Sequence, residues 1–197
     1  MKRNLTGLSI VVLVLFSLPL YAGVPLDTVQ ANVNKVLDVL RDPKLKPVSA
    51  KEIKIEKLRN IYKDMFDQVE LSRRVLSRNW NKLNPSQQQE FMQLFEQVLE
   101  KAYIDKILAY TNEKIVYYKE DKISDDRVEV LTKIITSSKE IPLFYRVIQK
   151  GGTWKVYDVV VENVSLVLNY RTQFNDILAK NTPEQLLEIL RKKVKEQ

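Results

Sequence analysis

The sequence has no histidine and no cysteine among its 197 residues, and it has only four glycines. Without histidine and cysteine, a thiol nucleophile, a Ser-His-Asp relay, a disulfide framework and a thiolate or imidazole zinc site are all excluded. The glycines are Gly7, Gly23, Gly151 and Gly152, and their spacing excludes both a G-x-G-x-x-G motif and a Walker-type phosphate loop. The remaining chain is 45% hydrophobic, which is enough to bury one continuous core.

The N-terminal residues have the pattern of a secretory signal peptide. Residues 1–4 are cationic, residues 5–20 form an uncharged and mostly apolar run, and Ala22 supplies the small residue that precedes a cleavage site. The run is shorter than the roughly 20 residues that a membrane-spanning helix needs, and it contains Pro19. We therefore predict that residues 1–22 are a cleaved signal peptide and that residues 23–197 form a single domain.

The charge balance is basic, with 32 Lys and Arg against 25 Asp and Glu, for a formal net charge of +7. In a cytosolic protein such a balance would suggest nucleic acid as a partner. For an exported protein, anionic lipid surfaces or acidic protein partners are better recipients of a basic surface. We therefore expect no nucleic-acid partner.

Hydrophobic residues recur at helical spacing on both sides of a central strand-rich stretch. The long helix has a strong start signal, because Asn84 can cap it, Pro85 suits its first turn, and Gln87 can reach back to the cap. The pattern predicts helices over residues 29–40, 53–66, 69–76, 84–108 and 166–178, and a last helix that opens at residues 182–184.

Between the helical parts, hydrophobicity alternates with a period of two in four runs, at residues 114–118, 127–135, 141–150 and 153–162. Gly151 and Gly152 predict a tight hairpin between the last two runs. Helices, consecutive strands and further helices predict an α+β fold in which helices pack on a curved, four-stranded antiparallel meander sheet.

The last predicted strand is apolar on both of its faces between residues 156 and 161. A central strand covered by two layers would explain this pattern, and so would the wall of an internal pocket. Tyrosine supplies nine of the aromatic residues, and its hydroxyl suits the wet rim of a pocket, although tyrosine is also common in ordinary cores. The periodicity leaves both interpretations open.

Two segments carry a family resemblance. The first runs from Arg73 to Trp80 and continues through residues 83–87 and 91–103; the second runs from Trp154 to Leu166 and continues to Tyr170, Arg171 and Phe174. In order and spacing these segments resemble the MlaC-type periplasmic phospholipid-binding proteins, also called the toluene-tolerance auxiliary family. The family usually has glycine where this chain has Asn163, and asparagine tolerates the left-handed conformation that glycine would supply. The family commonly has histidine where this chain has Asn79.

The resemblance implies a lipid pocket between the sheet and the helices, with acyl tails inside and the head group in water. On this basis we expect the tails to contact residues of the long helix, the strands and the following helix, and Arg171 is the candidate for the head group, although a solvated surface arginine is the alternative. The expected tail contacts are Phe95, Leu99, Tyr103, Val116, Leu131, Tyr145, Val147, Val159, Val161, Val164, Leu166, Val167 and Tyr170.

The resemblance also implies a function without a reaction. The expected protein is a soluble, monomeric periplasmic carrier that shuttles diacyl phospholipid between the inner and outer membranes and so maintains lipid asymmetry, with the phospholipid as cargo and no cofactor or metal. The implied partners are an inner-membrane ABC transporter with its substrate-binding subunit and an outer-membrane lipoprotein complex. Arg73, Arg74, Arg78 and Lys82 form a basic run that is either a docking site for an acidic partner or a solvated face.

Two other functions fit parts of the sequence. An α+β domain with a cavity can host an enzyme of the ketosteroid-isomerase type, with Asp158 as the base and Tyr157 as the hydrogen-bond donor. The alternative for Asp158 is a strand residue that faces a helix terminus or a lysine. The remaining candidate is a structural periplasmic adaptor, which would have a solid core and no bound lipid.

Overall fold

The computed structural model describes residues 25–196, so the predicted signal peptide lies outside the described part of the chain. Within these residues, the chain forms six α-helices and a five-stranded antiparallel sheet, which confirms the α+β class. The helices are α1 (Pro25–Arg41), α2 (Lys51–Met65), α3 (Gln68–Leu76), α4 (Pro85–Leu108), α5 (Leu166–Leu178) and α6 (Pro183–Glu196). The strands are β1 (Lys114–Ser124), β2 (Arg127–Ile135), β3 (Glu140–Lys150), β4 (Thr153–Val161) and β5 (Val164–Ser165).

The strands follow one another across the sheet in the order β1-β2-β3-β4-β5, which is a meander. The predicted number of four strands is wrong, because β5 adds two residues that pair with Val160 and Val161 of β4. Two residues are too few to produce a visible alternation, and in the sequence they merge with the start of α5. Strand β1 also extends to Ser124, because an edge strand tolerates the charged residues that mask its alternation.

The turns at both ends of β4 contain residues with a left-handed backbone conformation. Gly151 and Gly152 have φ angles of 55° and 78°, as expected for the tight turn between β3 and β4. Glu162 and Asn163 have φ angles of 49° and 66° in the turn between β4 and β5. Asn163 therefore adopts the conformation that the family's glycine would supply.

The start of α4 has the predicted capping box. The Asn84 side chain accepts from the backbone N–H of Gln87 at 2.9 Å, and the Gln87 side chain accepts from the backbone N–H of Asn84, also at 2.9 Å. This pair fixes the direction in which α4 leaves the short 3₁₀ helix at Ser77–Lys82.

The described residues bury two separate apolar clusters. The helical cluster combines α3, α4, α5 and α6 with the segment between α3 and α4, and its centre is an aromatic group of Phe91, Phe95, Tyr170 and Phe174. The sheet cluster lies between α1 and one face of the sheet, and its buried members are Val29, Val33, Leu37, Met65, Val130, Tyr145, Val147 and Val156. Phe66 packs against both clusters and connects them.

Candidate functional site

Helix α1 covers one face of the sheet with a narrow apolar stripe. Val29, Val33 and Leu37 recur every four residues, so they lie on one side of the helix and are all buried against the sheet. Opposite them lie Tyr145 and Val147 of β3, together with residues of β2 and β4 that share the same face. Helix α1 therefore provides most of the cover on this side of the sheet cluster, and Met65 at the end of α2 adds to it.

Polar groups hold both ends of α1. At its start, the backbone N–H of Leu26 donates to a carboxylate oxygen of Glu120 on β1, which places negative charge at the helix N-terminus. At its end, Nη2 of Arg41 donates to the hydroxyl of Tyr110 at 2.6 Å, and the guanidinium lies 5.6 Å from the centre of the Tyr110 ring. These contacts lie at the edge of the sheet cluster, and the space between them is apolar.

Two tyrosines bring polar atoms into this apolar space. Among the described residues, the buried hydroxyl of Tyr117 on β1 has no hydrogen-bond partner. Burial raises the pKa of Tyr117 to about 12. Burial, and then the neighbouring Tyr117, raise the pKa of Tyr145 as well. The sheet cluster therefore contains at least one polar group that the protein itself leaves unsatisfied.

The predicted pocket between sheet and helices is not confirmed. In this conformation the apolar side chains of α1 and of the sheet that face each other are buried. A depression of about 400 Å³ does exist between α2 and α4, but charged groups such as Arg59, Lys63, Glu96 and Glu100 line it. Arg59 and Glu100 pair there through two hydrogen bonds of 2.7 Å, so this depression does not suit acyl chains.

The structure distributes the predicted tail-contact residues over several regions. Phe95, Leu99, Tyr103, Leu166, Val167 and Tyr170 belong to or pack against the helical cluster. Tyr145, Val147 and Val159 belong to or pack against the sheet cluster. The strand register places Val116 and Leu131 on the opposite face of the sheet, and Val161 and Val164 are 41% and 60% exposed at its edge.

The sequence-based set leaves out the residues that close the sheet cluster. The stripe of α1 was visible as a helical pattern, but nothing in the pattern indicated which surface the stripe covers. Val116 and Tyr117 are adjacent in β1 and lie on opposite faces of the strand. A prediction that selects the face of Val116 therefore leaves out Tyr117. The register that places Tyr117 opposite Thr132 depends on a bulge after Tyr117, and periodicity alone does not reveal such a bulge.

Arg171 and Arg74 lie together where α5 packs on α3. Nε of Arg171 donates to the backbone carbonyl of Arg74 at 2.7 Å. The Arg74 side chain pairs with Glu70 at 2.7 Å and lies 4.0 Å from the centre of the Tyr157 ring. In contrast, Arg73, Arg78 and Lys82 are exposed, and within residues 25–196 none of the three forms an ion pair.

Asp158 is 2% exposed and its carboxylate is fully engaged. Its Oδ2 accepts from the hydroxyl of Ser165 at 2.6 Å and from Nη1 of Arg146 at 3.1 Å, and its Oδ1 accepts from the backbone N–H of Val167 at 3.0 Å. The carboxylate thus caps the N-terminus of α5 from a neighbouring strand. This is the helix-terminus arrangement considered above as the alternative to a catalytic base.

Residues 25–196 contain neither a helix suited to a membrane span nor a cluster of side chains suited to a metal ion. None of the helices in this part of the chain combines the length and the apolar character that a membrane span requires. The same residues contain no group of three or more acidic side chains placed to hold a metal ion.

Comparison with known proteins gives consistent matches. The family model described as MlaC protein matches residues 30–192. The toluene tolerance protein ttg2D of Pseudomonas putida is 26% identical over 162 residues, which cover 81% of this chain and 75% of that protein. The intermembrane phospholipid transport system binding protein MlaC of Haemophilus influenzae is 26% identical over 119 residues, which cover 58% of this chain and 56% of that protein.

A solved structure shares the fold. The phospholipid-binding protein of Ralstonia solanacearum, in complex with a phospholipid, matches with a TM-score of 0.81 and 24% sequence identity. The match covers 88% of this chain and 98% of that protein. At this level of identity, the likeness establishes a common fold for the two chains.

Proposed function

Because the chain belongs to the MlaC family, we propose that it binds a diacyl phospholipid and carries it through the periplasm between the inner and outer membranes, as part of a system that maintains lipid asymmetry. The observation that carries this proposal is the family match across residues 30–192. The phospholipid held by the Ralstonia protein and the intermembrane transport named for the Haemophilus protein support it. In this function the lipid is cargo, and no bond is made or broken.

The acyl tails lie between α1 and the sheet. The helical cluster is a poor place for them, because its rings already pack edge to face, with Phe95 centred 5.0 Å from Tyr170 and 5.5 Å from Phe174. Opening it would separate several helices at once. The sheet cluster is covered on one side mainly by α1, which polar contacts hold at its ends, with Met65 of α2 beside it, so movement of α1 exposes much of the apolar face of the sheet.

The energetics of this opening suit a reversible carrier. Burial of an acyl chain gains about 0.8 kcal/mol per CH₂ relative to water, so two long chains gain on the order of 20 kcal/mol. When α1 moves, its stripe and the sheet lose their mutual contacts, and the tails replace those contacts with new apolar ones. A bilayer offers the tails the same transfer energy, so docked partners decide the direction of loading by favouring one conformation.

The binding proposal is tested by native mass spectrometry of the full chain, exported in a bacterium with two membranes and purified without detergent. The expected spectrum shows the protein with an added mass of one or more phospholipids, which organic extraction then releases. A protein that never carries phospholipid, even after incubation with phospholipid vesicles, would contradict the proposal and favour a structural adaptor.

The position of the tails has a separate test. A phospholipid with a spin label on its acyl chain broadens the NMR signals of nearby methyl groups. We expect broadening at Val33 and Val147 in the sheet cluster, whereas Val75 and Leu186 in the helical cluster keep narrow signals. The reverse pattern would place the tails among the helices.

The proposed partners are an inner-membrane ABC transporter with its substrate-binding subunit and an outer-membrane lipoprotein complex. An acidic docking surface could pair with three exposed side chains that form no ion pair within the described part of the chain, namely Arg73, Arg78 and Lys82. Arg74 instead already pairs with Glu70 and stacks on Tyr157. Charge reversal at Arg73 and Arg78 should weaken docking to membranes that contain these complexes, and the exposed Lys195→Glu serves as the control. Equal docking of all variants would show that the basic run is a solvated face.

A further inference from the structure

Tyr117 places a hydroxyl inside the sheet cluster without a partner for it. An unpaired buried polar group costs free energy, and such groups are rare in folded proteins. Two of its neighbours on the same face of the sheet have their polar atoms engaged elsewhere. The hydroxyl of Thr132, which is directly opposite Tyr117, donates to the backbone carbonyl of Leu143, and a carboxylate oxygen of Glu120 accepts from Leu26.

The local backbone gives Tyr117 this position. The pairing between β1 and β2 shifts by one residue directly after Tyr117, so Tyr118 is the additional residue of a bulge. Bulges change the direction of neighbouring side chains and occur often beside functional sites. Tyr118 is 50% exposed, whereas the hydroxyl of Tyr117 is buried.

The position of Tyr117 in the sheet fits one end of a bound lipid. Tyr117 shares a row across the strands with Thr132, Leu143 and Val161, and this row ends at a side chain that is 41% exposed. The next two rows on the same face contain Tyr145 and then Val147, which are both buried. A molecule lying along this face would thus have its more polar end at the row of Tyr117 and its tails over the deeper rows.

We propose that the hydroxyl of Tyr117 donates a hydrogen bond to an ester carbonyl oxygen of the bound phospholipid. This inference rests on the proposed function and assigns the polar contact of the same site. An ester carbonyl is uncharged and lies where the acyl chain begins. A single hydrogen bond is therefore enough to satisfy it when it is buried here. A phosphate would need a nearby cation, whereas the charged residue in the next row of this face is Glu120, which carries a carboxylate.

The test compares two lipids and three proteins. The probes are a diacyl phosphatidylethanolamine and its dialkyl ether analogue with chains of equal length, which lacks the ester carbonyls. The proteins are the full chain, Tyr117→Phe, and the matched control Tyr118→Phe on the exposed bulge residue. Affinity is measured by titration with fluorescently labelled lipids of both kinds.

We expect Tyr117→Phe to weaken binding of the ester lipid about three- to tenfold, as for loss of one neutral hydrogen bond, and to leave the ether lipid unchanged. Tyr118→Phe should bind both lipids as the unsubstituted chain does. In the lipid-free state, Tyr117→Phe should unfold at the same or a higher urea concentration, because the unpaired hydroxyl is gone. If the hydroxyl had a purely structural role, Tyr117→Phe would instead unfold at a lower urea concentration.

Two outcomes would overturn the inference: unchanged affinity of Tyr117→Phe for the ester lipid, or an equal loss for both lipids. Either outcome leaves the proposed function intact, because the unsubstituted chain still binds phospholipid. Failure of the unsubstituted chain to bind either lipid would instead contradict the proposed function itself.

Discussion

Asp158 joins three elements through one buried carboxylate. It receives hydrogen bonds from Arg146 on β3, from Ser165 on β5 and from the backbone of Val167 at the start of α5. The negative charge is buried, pairs with the partly exposed Arg146 and faces the positive end of a helix. The residue therefore fixes how α5 leaves the sheet, and through α5 it positions part of the helical cluster.

Asp158→Asn should lower the free energy of unfolding by about 2–3 kcal/mol, because the amide removes one of the two carboxylates that pair with Arg146 and turns a donor toward another donor. Urea denaturation measures this loss. Asp125→Asn is the matched control, because the Asp125 side chain is 99% exposed and its ion pair with Lys122 is on the surface. At temperatures where both variants are folded, phospholipid binding should be unchanged; loss of an isomerase activity instead would support the catalytic interpretation of Asp158.

Asn163 has a φ angle of 66°, which a β-branched residue adopts only with strain. Asn163→Val should therefore lower the free energy of unfolding by about 1–2 kcal/mol, whereas Asn163→Gly should keep or slightly raise it. Urea midpoints of the two variants give the comparison. If both variants lost the same amount of stability, the asparagine side chain would matter at this position, and the backbone conformation would not.

At the level of elements, a group of charged side chains links α3 to the hairpin between β3 and β4. Nζ of Lys150 lies 2.8 Å from Asp67 and 3.0 Å from Glu70, and Glu70 also pairs with Arg74 at 2.7 Å. Asp67 in addition caps α3, because it accepts from the backbone N–H of Glu70 at 2.8 Å. The group links the helical cluster to the end of the sheet.

Glu70 makes this link dependent on pH. Burial alone would raise the pKa of Glu70, but the hydrogen bond from Lys150 and the charges of Arg74 and Lys150 outweigh burial and hold this pKa below its usual value. The folded protein then binds fewer protons at Glu70 than the unfolded chain does. The resulting stability is fully present above the unfolded pKa of about 4.3, and it is lost as the pH falls through the lower folded pKa.

Between about pH 5 and pH 3, Glu70→Gln should therefore lose less stability than the unsubstituted chain, because the variant has no carboxylate to protonate at this position. Urea midpoints measured across this range test the expectation. The exposed Glu52→Gln is the control and should follow the unsubstituted chain. If the stability of all three proteins changed with pH in parallel, Glu70 would not contribute to the loss of stability in acid.

Local signals made most elements predictable from the sequence. The capping box at Asn84 and the Gly151–Gly152 turn depend on neighbouring residues only, and both have the expected geometry. Strand β5 and the β1 bulge depend on pairing with other strands, so periodicity alone does not indicate them. The candidate site is harder still: the stripe of α1 was visible, but the surface that it covers is set by contacts between residues far apart in sequence.

At the scale of the whole molecule, the domain has two cores of different character. The helical cluster is closed by contacts among several helices, whereas the sheet cluster depends on α1 for its cover. Phe66 touches both, and the next residue, Asp67, donates its backbone N–H to the carbonyl of Val156 on β4 at 2.8 Å. The two cores meet at this connection, and the proposed carrier mechanism requires the sheet cluster to open while the helical cluster keeps its packing.

Hydrogen exchange should reveal this difference directly. Local opening frees amide groups without global unfolding, and its free energy is lowest where few buried contacts hold an element. In the lipid-free protein we therefore expect the amides around Val33 in α1 to exchange faster than those around Phe95 in α4. Arg41→Gln removes the contact with Tyr110 and should speed exchange in α1 further, while exchange in α4 stays unchanged.

The control is Arg191→Gln, which removes an equally exposed contact, with Glu90, from α6 and should leave α1 unaffected. Equal exchange rates in α1 and α4, or acceleration of both helices by Arg41→Gln, would mean that the domain opens only as one unit. In that case the tails could not enter between α1 and the sheet without unfolding the helical cluster. Because the aromatic packing of Phe91 and Phe95 makes that route costly, separate opening of α1 is the physical requirement of the carrier mechanism.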